Sequence, residues 1–239
     1  MTELLFRTDP YRREARGQVQ GHTGEGGVIL DATLFYPAGG GQPGDSGWLA
    51  WDNVRLPIAT AVRGPENSVV LVPGEPQPLP PVGALLSQSL DWERRHRHMR
   101  VHTALHLLSM LLPHPVSGGQ ISASHGRLDL QMPEPPPDRA ALEHALNAHV
   151  AADRRVGDFW IDRPDLAAQP RLARSLATPV TRGERKIRLV RIGDEGAEID
   201  LQPCVGTHVE RTGEIGALRL GRIENRGADT RRVYLHLDG

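Results

Sequence analysis

Residues 73–81 read Pro-Gly-Glu-Pro-Gln-Pro-Leu-Pro-Pro, five prolines in nine positions. Proline has no amide hydrogen to give a ladder or a helix, and its ring fixes φ, so neither kind of element continues through this stretch. It is a bridging loop or a domain boundary, and the chain changes character across it. Before it, Gln18–His22, Val28–Phe35, Gly47–Trp51, Val54–Ala61 and Ser68–Val72 are short runs rich in β-branched or aromatic residues. Turn clusters at Thr23–Gly27, Pro37–Gly44 and Gly64–Asn67 separate them. Short strands with closely spaced turns predict a small barrel or sandwich. After it, Asp91 is placed to cap a helix that runs through Leu112 and stops at Pro113. Val101, Leu105, Leu108 and Leu112 fall on one face of that helix. Pro137–Arg155 predicts a second helix, with Leu142, Leu146 and Val150 four apart. Val116–Ser122, Arg127–Gln131, Gly157–Asp162, Lys186–Ile192, Glu198–Gln202 and Arg231–Leu237 alternate or are β-rich. Strands and helices follow no strict βαβ rhythm, so the fold class is α+β. The domains are set at residues 1–90 and 91–239.

The formal net charge is −1, which excludes a globally basic nucleic-acid binder but allows a local basic patch. No apolar run approaches the roughly 18 residues a membrane span needs. The start, Met1–Arg7, lacks the basic and apolar pattern of a signal peptide. Cys204 is the one cysteine, so no intrachain disulfide forms and the reducing cytosol is the expected compartment.

Two fragments carry metal-ligand chemistry. One is His102-Thr-Ala-Leu-His106, inside the first predicted helix; the other is Cys204-Val-Gly-Thr-His208. On a helix, residues four apart share a face. Imidazoles and a thiolate are the donors zinc prefers, and four of them make a tetrahedron. The register is open, because His98 also stands four residues before His102. His96 and His98 lie among Arg94, Arg95, Arg97 and Arg100, which reads as a solvated face. The lone cysteine also reads as ordinary core filling. Zinc peptidases use His-Glu-x-x-His with the glutamate as base; Thr103 stands in that place, which disfavours peptidase chemistry.

Taken together, His102-x-x-x-His106 and Cys204-x-x-x-His208 resemble the editing domain of alanyl-tRNA synthetase and its freestanding relatives, the AlaX group of alanyl-tRNA editing proteins. Phe35-Tyr-Pro-Ala-Gly-Gly-Gly-Gln-Pro-Gly-Asp-Ser-Gly47 is similar to the glycine-rich motif of the longer freestanding forms. Ser117–Ser122 followed by Gly126–Leu130 resembles the segment after the zinc helix. Thr8–Ala15 and Arg231–Val233 resemble the family's opening and closing segments.

The resemblance implies a small N-terminal β-barrel followed by an α/β zinc-binding editing domain. It implies a Zn2+ site of His102, His106, Cys204 and His208, and hydrolysis of the ester joining serine, or glycine, to alanine tRNA. A pocket for alanine cannot strongly reject a small analogue, because a methylene is worth only about 1–3 kcal/mol, so a second sieve is required. Thr103 is the candidate for the serine hydroxyl, with a bond back to its own helix as the alternative. Gln120 is the candidate to orient water or meet the terminal adenosine. Gly39, Gly40, Gly41 and Gln42 are candidates for the tRNA end, or a plain turn. Arg97 and Arg100 are candidates for RNA contact, with Arg182, Arg185 and Lys186 as a second basic group. The expected partner is mischarged alanine tRNA, with no membrane involved; the oligomeric state is open, a monomer being favoured. The rival expectation is a zinc-stapled RNA-binding module that hydrolyses nothing.

Overall fold

The computed structural model describes residues 2–167 and 185–238. It divides into two compact units, Met1–His98 and Met99–Gly239. The expected boundary lay at 90/91, before the first long helix; the units part within that helix.

In the first unit the strands are β1 (Glu3–Leu4), β2 (Glu14–His22), β3 (Val28–Leu30), β4 (Ala32–Thr33), β5 (Gly47–Trp51), β6 (Val54–Arg63), β7 (Val69–Pro73) and β8 (Leu85–Leu90). Six of them close an antiparallel barrel in the order β2-β3-β7-β6-β5-β8. Alternation sends every second side chain inward. Along β2 buried and exposed residues alternate, and Val19, Val28, Leu30, Leu49, Leu56, Leu71 and Leu86 fill the interior. The proline-rich stretch is the bridge between β7 and β8, not the end of the barrel. Strand β8 closes the barrel, pairing Glu14 with Ser89 on one side and Gly47 with Leu90 on the other. Closure removes the open edges that an isolated sheet would expose.

Helix α1 (Trp92–Leu111) starts as expected, with Asp91 Oδ1 accepting the amide of Arg94 at 3.2 Å. Its basic first turns form a solvated face only in part: Arg97 is exposed and Arg94 and His96 are half-buried. Arg95 and His98 are each 1% exposed. The Arg95 guanidinium forms a buried ion pair with Asp45 and donates to the carbonyls of Pro10 (2.9 Å) and Leu34 (2.7 Å). A buried charge persists only when it is paired in this way.

In the second unit the middle of α1 is buried on every side. Val101, Ala104, Leu105, Leu107 and Leu108 are buried, and so are the polar His102, Thr103 and His106. Around it are β9 (Val116–Ile121), β10 (His125–Leu130), α2 (Arg139–Ala151), β11 (Val156–Asp162), α3 (Arg163–Ala167), β12 (Lys186–Ile192), β13 (Asp200–Pro203), β14 (Leu218–Asn225) and β15 (Arg231–Leu237). They form a four-stranded antiparallel sheet, β14-β15-β10-β9, and a three-stranded one, β11-β12-β13. Helix α1 lies directly on β10. A Cβ on Gly126 would meet Val101 Cγ1 at 2.7 Å and Leu105 Cδ1 at 2.9 Å, so glycine is what lets the helix approach. Helix α2 is capped by Asp138, whose Oδ1 accepts the Ala141 amide, and it buries Leu142, Leu146 and Val150. Its polar side seals the open edge of β14. Asn147 exchanges two bonds with Leu218 (2.8 and 2.9 Å), and Glu143 accepts the Leu220 amide at 2.7 Å. The chain is α+β, a closed barrel followed by a mixed helix-and-sheet unit.

Candidate metal centre

His102 and His106 stand one turn apart on α1 and face the same way. Cys204 and His208 do not lie on a helix; they sit in the loop that leaves β13. The structure brings all four together. Their ligand atoms lie within 4.8 Å of one another and every one of the four side chains is buried. Cys204 Sγ is 3.3 Å from His102 Nε2 and 3.3 Å from His208 Nε2. Zinc at ordinary bond lengths of about 2.0–2.3 Å separates tetrahedral ligand atoms by roughly 3.3–3.6 Å. The donor set and its spacing therefore fit a metal ion. Of the two possible registers, His102/His106 is the one that enters the cluster.

Two polar side chains aim the imidazoles. His106 Nδ1 meets Asp200 Oδ2 at 2.9 Å. With Nδ1 as the donor, Nε2 keeps a free lone pair directed into the cluster, which is the orientation a ligating histidine needs. Asp200 is itself held by Gln202 Nε2 at 2.6 Å, and Gln202 reaches Ser109 of α1 at 3.3 Å. His208 Nδ1 lies 3.1 Å from Thr103 Oγ1. That hydroxyl donates back to the Met99 carbonyl at 3.0 Å and accepts the Val209 amide at 3.3 Å. The loop that carries Cys204 and His208 is clamped by Arg188 of β12. One edge of its guanidinium grips Asp158 of β11 at 2.9 and 3.0 Å. Its Nη1 donates to the carbonyls of Cys204 (3.2 Å) and Gly206 (2.7 Å).

The electrostatics suit a cation. Burial opposes a thiolate at Cys204, but His102 and His208 pull the thiol well below its ordinary pKa. Burial, and then the nearby His102, push His208 well below the usual imidazole value, so it is a neutral donor. Burial also opposes charge on His106, yet the Asp200 hydrogen bond and the Cys204 sulfur carry its pKa up to about 10. His106 thus carries its proton between the Cys204 sulfur and the Asp200 side chain. A divalent ion takes the place of that proton, because ligands deprotonate as metal binds.

The other sequence candidates stand elsewhere. Gln120 is on exposed β9, where its Oε1 accepts Arg127 Nε at 3.1 Å. Gly39 and Gln42 exchange two backbone bonds of 3.0 Å around Gly40 and Gly41, whose φ values are +59° and +81°. That is a tight turn whose central residues favour glycine. Arg97 is exposed; Arg100 is half-buried and donates from Nε to the Ile215 carbonyl at 2.8 Å. Arg182 lies outside the described residues. The sequence reading passed over Asp200, Arg188 and Asp158. Asp200 carried a signal, since it stands four residues before Cys204, itself four before His208. Arg188 and Asp158 carried none, because only the pairing of β11 with β12 makes them partners.

Comparison with known proteins supplies the remaining findings. Residues 187–234 match the profile of the threonyl and alanyl tRNA synthetase second additional domain, a span that contains Cys204 and His208. The chain is 31% identical over 249 aligned positions to the alanyl-tRNA editing protein AlaX-M of Methanosarcina acetivorans, covering 99% of both chains. It is 32% identical to AlaX-M of Saccharolobus solfataricus over 98% of each. With the alanine--tRNA ligase of Pyrobaculum arsenaticum it shares 34% over 93% of this chain, but only 25% of the ligase. Matched along nearly its whole length at this identity, the chain belongs to the alanyl-tRNA editing protein family, AlaX.

Proposed function

We propose that this protein hydrolyses the ester of serine mischarged onto alanine tRNA, with the glycine ester as a second substrate, in the cytoplasm. His102, His106, Cys204 and His208 hold a zinc ion for this task. The observation that carries the reading is the convergence of these four buried donors from two distant stretches of chain. The full-length similarity to proteins named for alanyl-tRNA editing supports it.

When bound, zinc supplies a Lewis-acid charge for the polarised groups of an aminoacyl ester. The chain's own residues orient and hold. Asp200 keeps the proton on Nδ1 of His106. Thr103 acts as a positioning residue for His208, with its hydroxyl hydrogen on the Met99 carbonyl. Recognition of a serine hydroxyl by Thr103 would replace its longest bond, the 3.3 Å contact with the Val209 amide. An aminoacyl ester is intrinsically labile, so positioning and charge stabilisation suffice without a dedicated protein base. Gln120, Arg97 and the turn at Gly39–Gln42 are assigned to the tRNA end as the family resemblance implies.

The test is deacylation of Ser-, Gly- and Ala-tRNA(Ala) by the zinc-loaded protein, with and without a chelator. The expected result is loss of the serine ester well above its spontaneous rate, suppressed by the chelator. Spontaneous rates for all three esters would instead support the module without hydrolysis. One observation favours that second reading: four protein donors are the usual complement of a closed, structural zinc site.

A further inference from the structure

The four-stranded sheet turns one face inward, with Leu128, Leu130, Val233 and Leu235 buried. On the opposite, half-exposed face, beside the edge where α2 meets β14, a groove encloses about 480 Å3. Arg139, Arg219, Arg222, His125, Tyr234 and His236 line it, and among the described residues no carboxylate does. None of these residues belongs to the metal cluster. Arg219 stands just before, and Arg222 within, an irregularity in the β14–β15 pairing between Leu220 and Ile223, and their side chains are 55% and 71% exposed.

The groove combines cationic and planar groups. The Arg222 guanidinium stacks over Tyr234, 4.7 Å from the ring centroid. His125 and His236 are cross-strand partners whose rings lie 5.6 Å apart at 31°. Burial, and then Arg219, hold His236 below the usual imidazole pKa, so at neutral pH its ring offers a flat uncharged surface. Arg139 donates to the Gly221 carbonyl at 2.6 Å, which fixes the third guanidinium at the wall. Glu224 meets Arg222 at 2.6 Å and Asp238 meets Arg219 at 3.8 Å. Exposed pairs of this kind are weak and exchange readily for a better anion. Guanidinium groups match phosphate oxygens in a fork geometry, and ring planes accept ribose or base faces.

We propose that this groove binds the phosphodiester backbone of the tRNA, as an anchoring contact separate from the metal cluster. The inference rests on the tRNA reading above. Its test measures binding of a tRNA(Ala) transcript across a salt series by the full chain, by R219Q/R222Q and by R219K/R222K, beside deacylation of Ser-tRNA(Ala) by the wild type. Each phosphate contact contributes about 0.7–0.9 to the slope of log affinity against log salt. The glutamine pair is therefore expected to bind more weakly and to flatten that slope by about 1.4–1.8, and the lysine pair to restore most of it. An unchanged slope in the glutamine pair overturns the proposal. So does a lysine pair as flat as the glutamine pair, because the loss then reflects damage to the sheet rather than missing charge. A wild type that deacylates while the glutamine pair keeps the full slope removes the groove alone. A wild type that shows the groove-dependent slope without deacylation supports the groove and removes the hydrolase reading.

Discussion

Replacing Asp45 by alanine should damage the first unit more than any exposed substitution would. The carboxylate is 1% exposed and its partner Arg95 0%. Asp45 accepts Arg95 Nε at 3.0 Å on Oδ1 and 2.9 Å on Oδ2, and Oδ2 also takes the Tyr36 amide at 2.6 Å. The variant leaves a buried guanidinium on two carbonyls and strips an amide of its acceptor. Removing one partner of a buried pair costs about 3–5 kcal/mol. For a chain of this size, 1 kcal/mol corresponds to roughly 2–4 °C in melting temperature, so a central loss of about 4 kcal/mol means roughly 8–16 °C. Trp48, Trp51 and Trp92 all lie in this unit, and their fluorescence during denaturant unfolding reports on it. D45L/R95M should recover most of the loss, since apolar replacement of both partners is close to neutral. A loss below about 1 kcal/mol in D45A, or no recovery in the double variant, refutes the reading of this pair as a stabilising buried contact of the first unit.

Four further outcomes are expected. C204A/H208A should purify with its zinc greatly diminished by elemental analysis; undiminished zinc removes the ligand assignment. D200A should weaken zinc affinity about 10–100-fold in competition with a chelating dye, because His106 loses the acceptor that aims it. G126A should lose about 1–3 kcal/mol through overpacking against Val101 and Leu105 and bind zinc less tightly, since the helix it displaces carries His102 and His106. The hydrogen bond from Arg232, with Arg127 behind it, holds the Asp129 carboxyl below its ordinary pKa against the effect of burial. Its stabilisation is complete above the ordinary carboxylate value and fades as pH falls through the depressed one. The stability gap between wild type and D129N should therefore begin to narrow only as pH falls below about 4 and close once pH is below the depressed value, and a gap that does not narrow with falling pH counts against the pairing.

The sequence made some of this legible and hid the rest for physical reasons. The barrel strands announce themselves by alternation, but β8 reads Leu-Leu-Ser-Gln-Ser-Leu behind a proline loop. Its inward Gln88 finds its partners in Ala32, Thr33 and Leu34, far away in the chain. Strand β14 escaped because Gly221 and a shifted register break its alternation. Arg95 looked solvated because a basic run on a helix normally is, and the acid that buries it lies 50 residues earlier. The two metal dyads were visible because a four-residue spacing is local. Asp200 and Arg188 act through contacts between strands and loops, which no window of sequence displays.

His102 and Cys204 are 102 residues apart in the chain, yet their donor atoms touch. During synthesis the helix with its two histidines leaves the ribosome long before the cysteine exists, and a nascent chain holding only that half offers two ligands instead of four. Full coordination arrives late and all at once, after a long loop has closed. If the four donors hold zinc as proposed, retention of the ion would report on completed folding.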